Sequence, residues 1–214
     1  MNTPPRLLDL FSGAGGAAKG YQRAGFYVVG VDIKPQPRYC GDQFVQADAL
    51  DFCASFGTGF DAIHASPPCE RYSQLTPITH RDSHMNLIGP VRQLLWSLAK
   101  PFIIENVPGA KRLLHQPLML CGSQWSLRVR RHRFFELGRF AISELIAPCD
   151  HGTAPVLISG THRRTYEPRY EYSKKESAHA ADIDWMTRAE LDKAIPPAYT
   201  EYLGRQLLAH LTSS

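Results

Sequence analysis

The stretch Arg6-Leu7-Leu8-Asp9-Leu10-Phe11-Ser12-Gly13-Ala14-Gly15-Gly16, followed through Gly25 into Tyr27-Val28-Val29-Gly30-Val31-Asp32-Ile33, decides the fold. Residues 6–11 and 27–33 are short apolar runs of strand length, and residues 17–25 between them read as a helix closed by a glycine cap. Gly13, Gly15 and Gly16 follow the first run directly, where a backbone without side chains accepts positive φ and lets a ligand approach closely. The order is strand, glycine turn, helix, strand. Working outward, residues 44–47, 60–65, 102–107, 118–121 and 134–137 are further strand candidates, spaced too widely for hairpins. Val91, Leu94, Leu95 and Leu98 fall at helical spacing, with Pro90 in the tolerated first turn. Leu203, Leu207 and Leu211 mark a final helix able to pack back on the first part of the chain. Alternating strands and helices predict an α/β fold with a mostly parallel, doubly wound sheet and its ligand at the carboxyl ends of the strands.

The 214 residues suit one domain with a small appendage, and 24 Lys and Arg against 20 Asp and Glu give a net charge of +4. That mild excess suits a phosphate-backbone partner without demanding one. Five cysteines without a CxxC pair, behind an N-terminus lacking the regions of a signal peptide, predict reduced thiols and a cytoplasmic location. No apolar run reaches the ~18 residues of a membrane span, so no membrane partner is expected. After Gly138 the pattern changes: residues 149–177 mix Gly, Pro, Thr, Tyr, Arg and Lys around one short apolar run, 156–158, and order resumes near Trp185. The expected division is a catalytic body of 1–138 with 185–214, and a small lobe or extended loop over 139–184.

Gly13-x-Gly15-x-x-Ala18 with Asp32 after the second strand also fits a dinucleotide fingerprint, so the loop alone leaves an NAD-type oxidoreductase open. Three tripeptides downstream add chemistry: Pro67-Pro68-Cys69, Glu105-Asn106-Val107 and Arg131-His132-Arg133. Cys69 is a candidate nucleophile on a backbone stiffened by two prolines. Glu105 follows Phe102-Ile103-Ile104, and an apolar surrounding keeps a carboxyl protonated. Cys40, Cys53, Cys121 and Cys149 are expected to be small buried hydrophobes. Arg128 and Arg130 read as solvated or phosphate-contacting side chains. Cys149-Asp150-His151 has zinc-ligand residue types but no second close ligand pair, so no metal is expected.

Over residues 7–138 this set, in this order, resembles the cytosine-C5 DNA methyltransferase family. The resemblance implies the Rossmann-like fold of class I S-adenosylmethionine-dependent methyltransferases, with S-adenosyl-L-homocysteine as product. It implies Cys69 as the nucleophile at cytosine C6, Glu105 at N3, Asn106 and Pro68 supporting that loop, and Arg131 and Arg133 near the base O2. Cofactor contacts are implied from Asp9, Phe11, Gly13, Gly15, Gly16, Asp32, Ile33, Asp48, Ala49 and Pro67. Phe11 belongs to the adenine and sulfonium neighbourhood, Asp32 to the ribose hydroxyls and Asp48 to the adenine amino group.

The implied partner is double-stranded DNA with the target base flipped out of the stack. The loop 70–85 would close over that base, with contacts from Arg71, Ser73 and Arg81, while Arg163, Arg164, Lys174 and Lys175 serve the small recognition lobe. So short a lobe predicts a short recognition sequence, as in phage-type or solitary enzymes, working as a monomer with any restriction endonuclease partner unidentified. The chain differs from the family at Glu70, usually glutamine, at Val129, usually glutamine before Arg-x-Arg, and at Asp192-Lys193, usually Gly-Asn. Met186-Thr187-x-x-Glu190 is weakly similar to a late family motif. Alternatives are a tRNA cytosine-C5 methyltransferase, and a catalytically inactive DNA-binding protein, which the retention of Cys69 and Glu105 disfavours.

Overall fold

A computed structural model of the chain describes residues 3–68, 86–152, 156 and 172–213. Among these, seven strands form one sheet in the order β3-β2-β1-β4-β5-β7-β6. They are β1 (Arg6–Leu10), β2 (Tyr27–Asp32), β3 (Gln43–Gln46), β4 (Ala62–Ala65), β5 (Phe102–Asn106), β6 (Leu118–Leu120) and β7 (Arg133–Gly138). The first five pair in parallel, β7 lies antiparallel to β5, and β6 lies antiparallel to β7. Each strand candidate is thus a strand within a few residues, and the sheet is a Rossmann-like, mostly parallel sheet. The expectation of no hairpin pairing is corrected at β6 and β7, which neighbour each other across the connection 121–132.

Side chains alternate across the sheet, and both faces are covered. Leu8, Leu10, Val29, Val31, Ile63, Phe102 and Ile104 pack against α2 (Ala49–Phe56) and α3 (Ile88–Ser97). Leu7, Val28, Ala62, Ile103 and Phe135 pack under α1 (Gly16–Ala24) and the C-terminal helix, Pro197–Ser213. Gly25 closes α1 at φ 110°, its N–H bonded to the Gln22 carbonyl, which is the left-handed cap expected of it. Gly20 is forced by contact: a Cβ there would run into Thr200 and the Pro197 carbonyl. Thr200 Oγ1 donates to the Ala17 carbonyl at 2.9 Å, locking the two helices at that point.

The region after Gly138 is partly regular. Helix α4 (Lys174–Ala181) begins inside the segment expected to be irregular, with Ser173 and Glu176 forming a capping box. Its Ala178 and Ala181 pack with Ala14 of the glycine turn, Val129, Ile183, Met186 and Leu191. A single turn, α5 (Arg188–Leu191), is capped by Thr187 and Glu190 in the same way, and the long C-terminal helix is α6. The late motif Thr187-x-x-Glu190 is therefore a capping box, and Glu190 also pairs with Arg38 at 2.8 Å. Buried Val129 supplies an apolar contact in this cluster, which glutamine could not make. Among the described residues no helix is long and apolar enough to cross a membrane.

Candidate active site

Parallel strands put their carboxyl ends at one edge of a sheet. Leu10, Asp32, Ala65 and Asn106 end β1, β2, β4 and β5 there. Because β7 runs the other way, its first residue, Arg133, meets the same edge one step beyond the Asn106–Phe134 pair. That antiparallel strand explains why Arg131-His132-Arg133 precedes its strand while the other motifs follow theirs.

Alternation then sorts the polar groups by face. Asp9, His64 and Glu105 share the α1 side of the sheet with Leu7, Ala62 and Ile103, and Asp9 is the register partner of His64. All three are buried, and each answers burial in its own way. Glu105 is pushed above the ordinary carboxylate range by burial, against the opposing pull of Arg133, a Ser66 hydrogen bond and Arg131. The Arg133 Nε lies 3.0 Å from Glu105 Oε1, as an ion pair without a well-directed N–H bond. Desolvation outweighs the cations in direction, so the protonated form of Glu105 is favoured relative to an exposed carboxylate.

His64 is pushed down to about 3 by burial and is neutral at physiological pH. Its Nδ1 lies 2.9 Å from the Tyr21 hydroxyl, and its Nε2 lies 2.9 Å from Ser66 Oγ. With Ser66 bonded to Glu105, a polar chain runs from α1 through β4 to the acid. Nothing in the sequence reading pointed to His64, Ser66 or Tyr21. The available signal was a histidine inside the otherwise apolar strand Ala62-Ile63-His64-Ala65, where a buried polar side chain needs partners.

Asn106 is 1% exposed, and its Nδ2 donates to the Pro67 carbonyl at 3.0 Å while its Oδ1 accepts from the Val107 N–H at 3.0 Å. The amide therefore ties the end of β5 to Pro67 in the turn after β4. Cys69, together with Arg71, Ser73 and Arg81, lies outside the described residues, as does the whole expected closing loop 70–85. Pro68, the last described residue before it, is exposed.

Arg131 is buried deeper than a surface clamp. Its Nη2 donates to the Asp192 carbonyl at 2.6 Å, and its own carbonyl accepts from Tyr199 at 2.6 Å. Burial, and after it the charge of Arg133, pulls this guanidinium down to about 9. The Asp192-Lys193 tail thus holds Arg131 in place. Arg133 is the arginine that reaches Glu105.

At the other end of the edge, Phe11 stands at φ 59° and Gly13 at φ 50°, so the backbone turns sharply as it leaves β1. Among the described residues a Cβ on Gly13 would meet nothing within 4 Å. Gly15 and Gly16 are hemmed in instead, by Cys40 and by Ile195. Trp185 Nε1 donates to the Ala14 carbonyl at 2.9 Å and fastens the tail to this turn. Asp32 accepts from the Gly13 and Lys34 N–H groups at 3.0 and 2.9 Å, and Ile33 beside it is 65% exposed. Among the described residues neither oxygen of buried Asp9 has a hydrogen-bond partner, and burial, then Asp32 and Glu105, push its carboxyl well above the usual range.

Asp48 is exposed and caps α2, its Oδ1 accepting from Leu50 and Asp51, with Ala49 buried as the first helical residue. Lys174 and Lys175 are exposed in the first turn of α4, whereas Arg163 and Arg164 lie outside the described residues. Arg130 is exposed and donates to the His151 carbonyl at 3.0 Å. The expectation that the four other thiols are buried is corrected for Cys40 and Cys149, which are half-buried; Cys53 and Cys121 are buried.

No family model matches the chain, and no curated protein matches it. Solved structures do match over nearly its whole length. A protein described as a DNA modification methyltransferase encoded within a prophage, from E. coli, shares 18% identity, with 98% of this chain and 100% of that one covered at a TM-score of 0.64. The Entamoeba histolytica methyltransferase EhMeth shares 13% identity over 98% and 99% of the two chains, at a TM-score of 0.62. The S. pombe Dnmt2 methyltransferase shares 14% over the same proportions, at 0.61. At such identities the likeness establishes a shared fold.

Proposed function

We propose that this chain is a cytosine-C5 methyltransferase acting on double-stranded DNA with S-adenosylmethionine as methyl donor. The observation that carries the reading is the buried Glu105, its carboxyl pushed up by desolvation, joined through Asn106 to Pro67, two residues before Cys69. Beside it stand the glycine turn and the unpartnered Asp9. The methyltransferase neighbours that share the whole fold support the same reading.

Cytosine C5 is a poor nucleophile, and the chain's residues make it a better one. The Cys69 thiolate adds to C6, forming an S–C6 bond, while Glu105 gives its proton to N3 so that the ring becomes a neutral enamine. Arg133, paired with Glu105, stabilises the carboxylate left behind. Ser66, held by His64, donates a hydrogen bond to that carboxylate. When bound, S-adenosylmethionine supplies the electrophilic methyl group and departs as S-adenosylhomocysteine. Loss of the C5 proton to a base, return of the N3 proton to Glu105 and expulsion of the Cys69 thiolate restore the ring and the enzyme.

The turn after β1 supports a donor site there. Gly13, Asp32 and Ile33 are the residues that would hold the donor, and Asp9 would supply a carboxyl to balance its positive sulfonium centre. Labelled donor incubated with cytosine-containing duplex DNA and, separately, with tRNA tests the substrate. The expected result is label in DNA as 5-methylcytosine, lost in Cys69→Ser with donor binding retained. Label in tRNA alone reassigns the substrate, and sustained turnover by Cys69→Ser removes the nucleophile.

A further inference from the structure

Outside the proposed reaction centre, Cys121, His132, Cys149 and His151 bring one ligand atom each to a common point, all within 4.8 Å of one another. Sequence spacing does not show this, because Cys149-Asp150-His151 finds its second pair in Cys121, at the end of β6, and His132, just before β7. The His132 and His151 Nε2 atoms are 3.2 Å apart, Cys121 Sγ is 3.4 Å from His151 Nε2, and Cys149 Sγ is 3.9 Å from His132 Nε2.

Tetrahedral zinc, with Zn–S near ~2.3 Å and Zn–N near ~2.05 Å, sets N···N at ~3.4 Å and S···N at ~3.5 Å. The observed separations fall within a few tenths of an ångström of both. Hydrogen bonding accounts for the set less well. The Nε2 of His151 faces both the Nε2 of His132 and the Cys121 sulfur, yet one N–H serves one acceptor at a time.

A second observation concerns the segment carrying Cys149 and His151. Between Arg139 and Gly152 no residue is buried, and none lies in a helix or strand. An ordered stretch without its own apolar core needs a cross-link of another kind. Besides Phe140 and Ile146, which pack partly buried against the core on the α6 side, it is held by polar ties such as Gln124 Nε2 to the Ala147 carbonyl at 2.7 Å and Ser143 N to Gln206 Oε1 at 2.9 Å.

We infer that Cys121, His132, Cys149 and His151 form a structural zinc site that staples segment 139–152 to the β6–β7 edge of the sheet. With two thiolates and two imidazoles from the protein, the site is closed and has no position for substrate. Its reach extends to the chemistry by position alone, because His132 lies between Arg131 and Arg133. A metal on that imidazole fixes the backbone from which Arg133 meets Glu105. The assignment does not depend on the proposed methyl transfer.

The full chain, produced in zinc-supplemented medium under reducing conditions and passed over a weak chelating resin, is assayed for metal. One zinc per chain is expected. Replacement by cobalt(II) should give the intense visible bands of a tetrahedral ion with thiolate charge transfer. Cys149→Ser and His151→Ala, both at half-buried positions, should lose the stoichiometric metal and those bands. Cys53→Ser, at a buried thiol in α2, should keep them. A strong chelator should lower the wild-type melting temperature and leave that of Cys149→Ser unchanged. Wild-type protein that retains no zinc and gives no tetrahedral cobalt spectrum overturns the site, even if a variant fails to fold. So does unchanged metal content in both variants, or a Cys121–Cys149 disulfide in the protein as isolated.

Discussion

Asn106 is where the two halves of the proposed reaction centre are tied together, and removing its amide should be felt in stability and rate at once. Asn106→Ala deletes the 3.0 Å bond to the Pro67 carbonyl and the 3.0 Å bond from the Val107 N–H. Because Asn106 is 1% exposed, little water can replace the amide. Leaving a buried group unpaired costs about 1–3 kcal/mol, and two partly covered partners give an expected loss of roughly 2–4 kcal/mol. The rate should fall further than stability implies, since displacing a reacting group by ~1 Å costs about 10²-fold. Urea denaturation gives the first number, and initial rates at saturating donor and DNA give the second. Asn106→Asp sharpens the test, because it keeps the acceptor for Val107 but sets a carboxylate against the Pro67 oxygen. That variant should be nearly inactive at pH 8 and recover as pH falls and the new acid donates an O–H to Pro67. Wild-type rate and denaturation midpoint in Asn106→Ala would refute the tie.

The remaining expectations follow from the two buried acids. Glu105→Gln should lower kcat by about 10²–10⁴-fold while donor affinity holds, since an amide cannot deliver the proton; an unchanged kcat removes that role. In the wild type, kcat/KM should decline as pH rises through the raised Glu105 value, and a profile flat across that range contradicts a proton held there. Asp9 has the same sign for stability: raised in the folded state, its contribution is complete below the ordinary value of 3.8 and is lost as pH rises through the folded value. Asp9→Asn should therefore stabilise the ligand-free protein near pH 8. It should also weaken calorimetric binding of the cationic donor more than that of its neutral product, and equal weakening of both removes Asp9 from the sulfonium.

Much of the sheet was legible because a parallel strand covered on both faces must be a short apolar run. Runs 6–11, 27–33 and 102–107 each end within a residue or so of β1, β2 and β5. The position of β7 between β5 and β6 was not legible, since antiparallel insertion depends on partners distant in sequence. Helix α4 was hidden by its small side chains: Ala178, Ala180 and Ala181 bury without making an obvious stripe of large apolar residues. Asp48 shows how one residue type serves two readings, since the same carboxylate that resembles a ligand contact also caps α2. His64 and Ser66 act through three-dimensional partners on α1 and β5, which spacing along one strand cannot reveal. The four metal-ligand residues converge from β6, the start of β7 and an irregular segment, so only the folded chain displays them.

The central claim is that Cys69 bonds to cytosine C6 while Glu105 protonates the same ring. Duplex DNA carrying 5-fluorocytosine tests it directly, because fluorine at C5 cannot leave as a proton and the enzyme stays attached after methyl transfer. With S-adenosylmethionine present, the account predicts a denaturant-resistant protein–DNA complex whose peptide map places the bond at Cys69, formed far more slowly by Glu105→Gln. A bond at Cys40, Cys53, Cys121 or Cys149, or no complex with a duplex that the protein methylates, would contradict it.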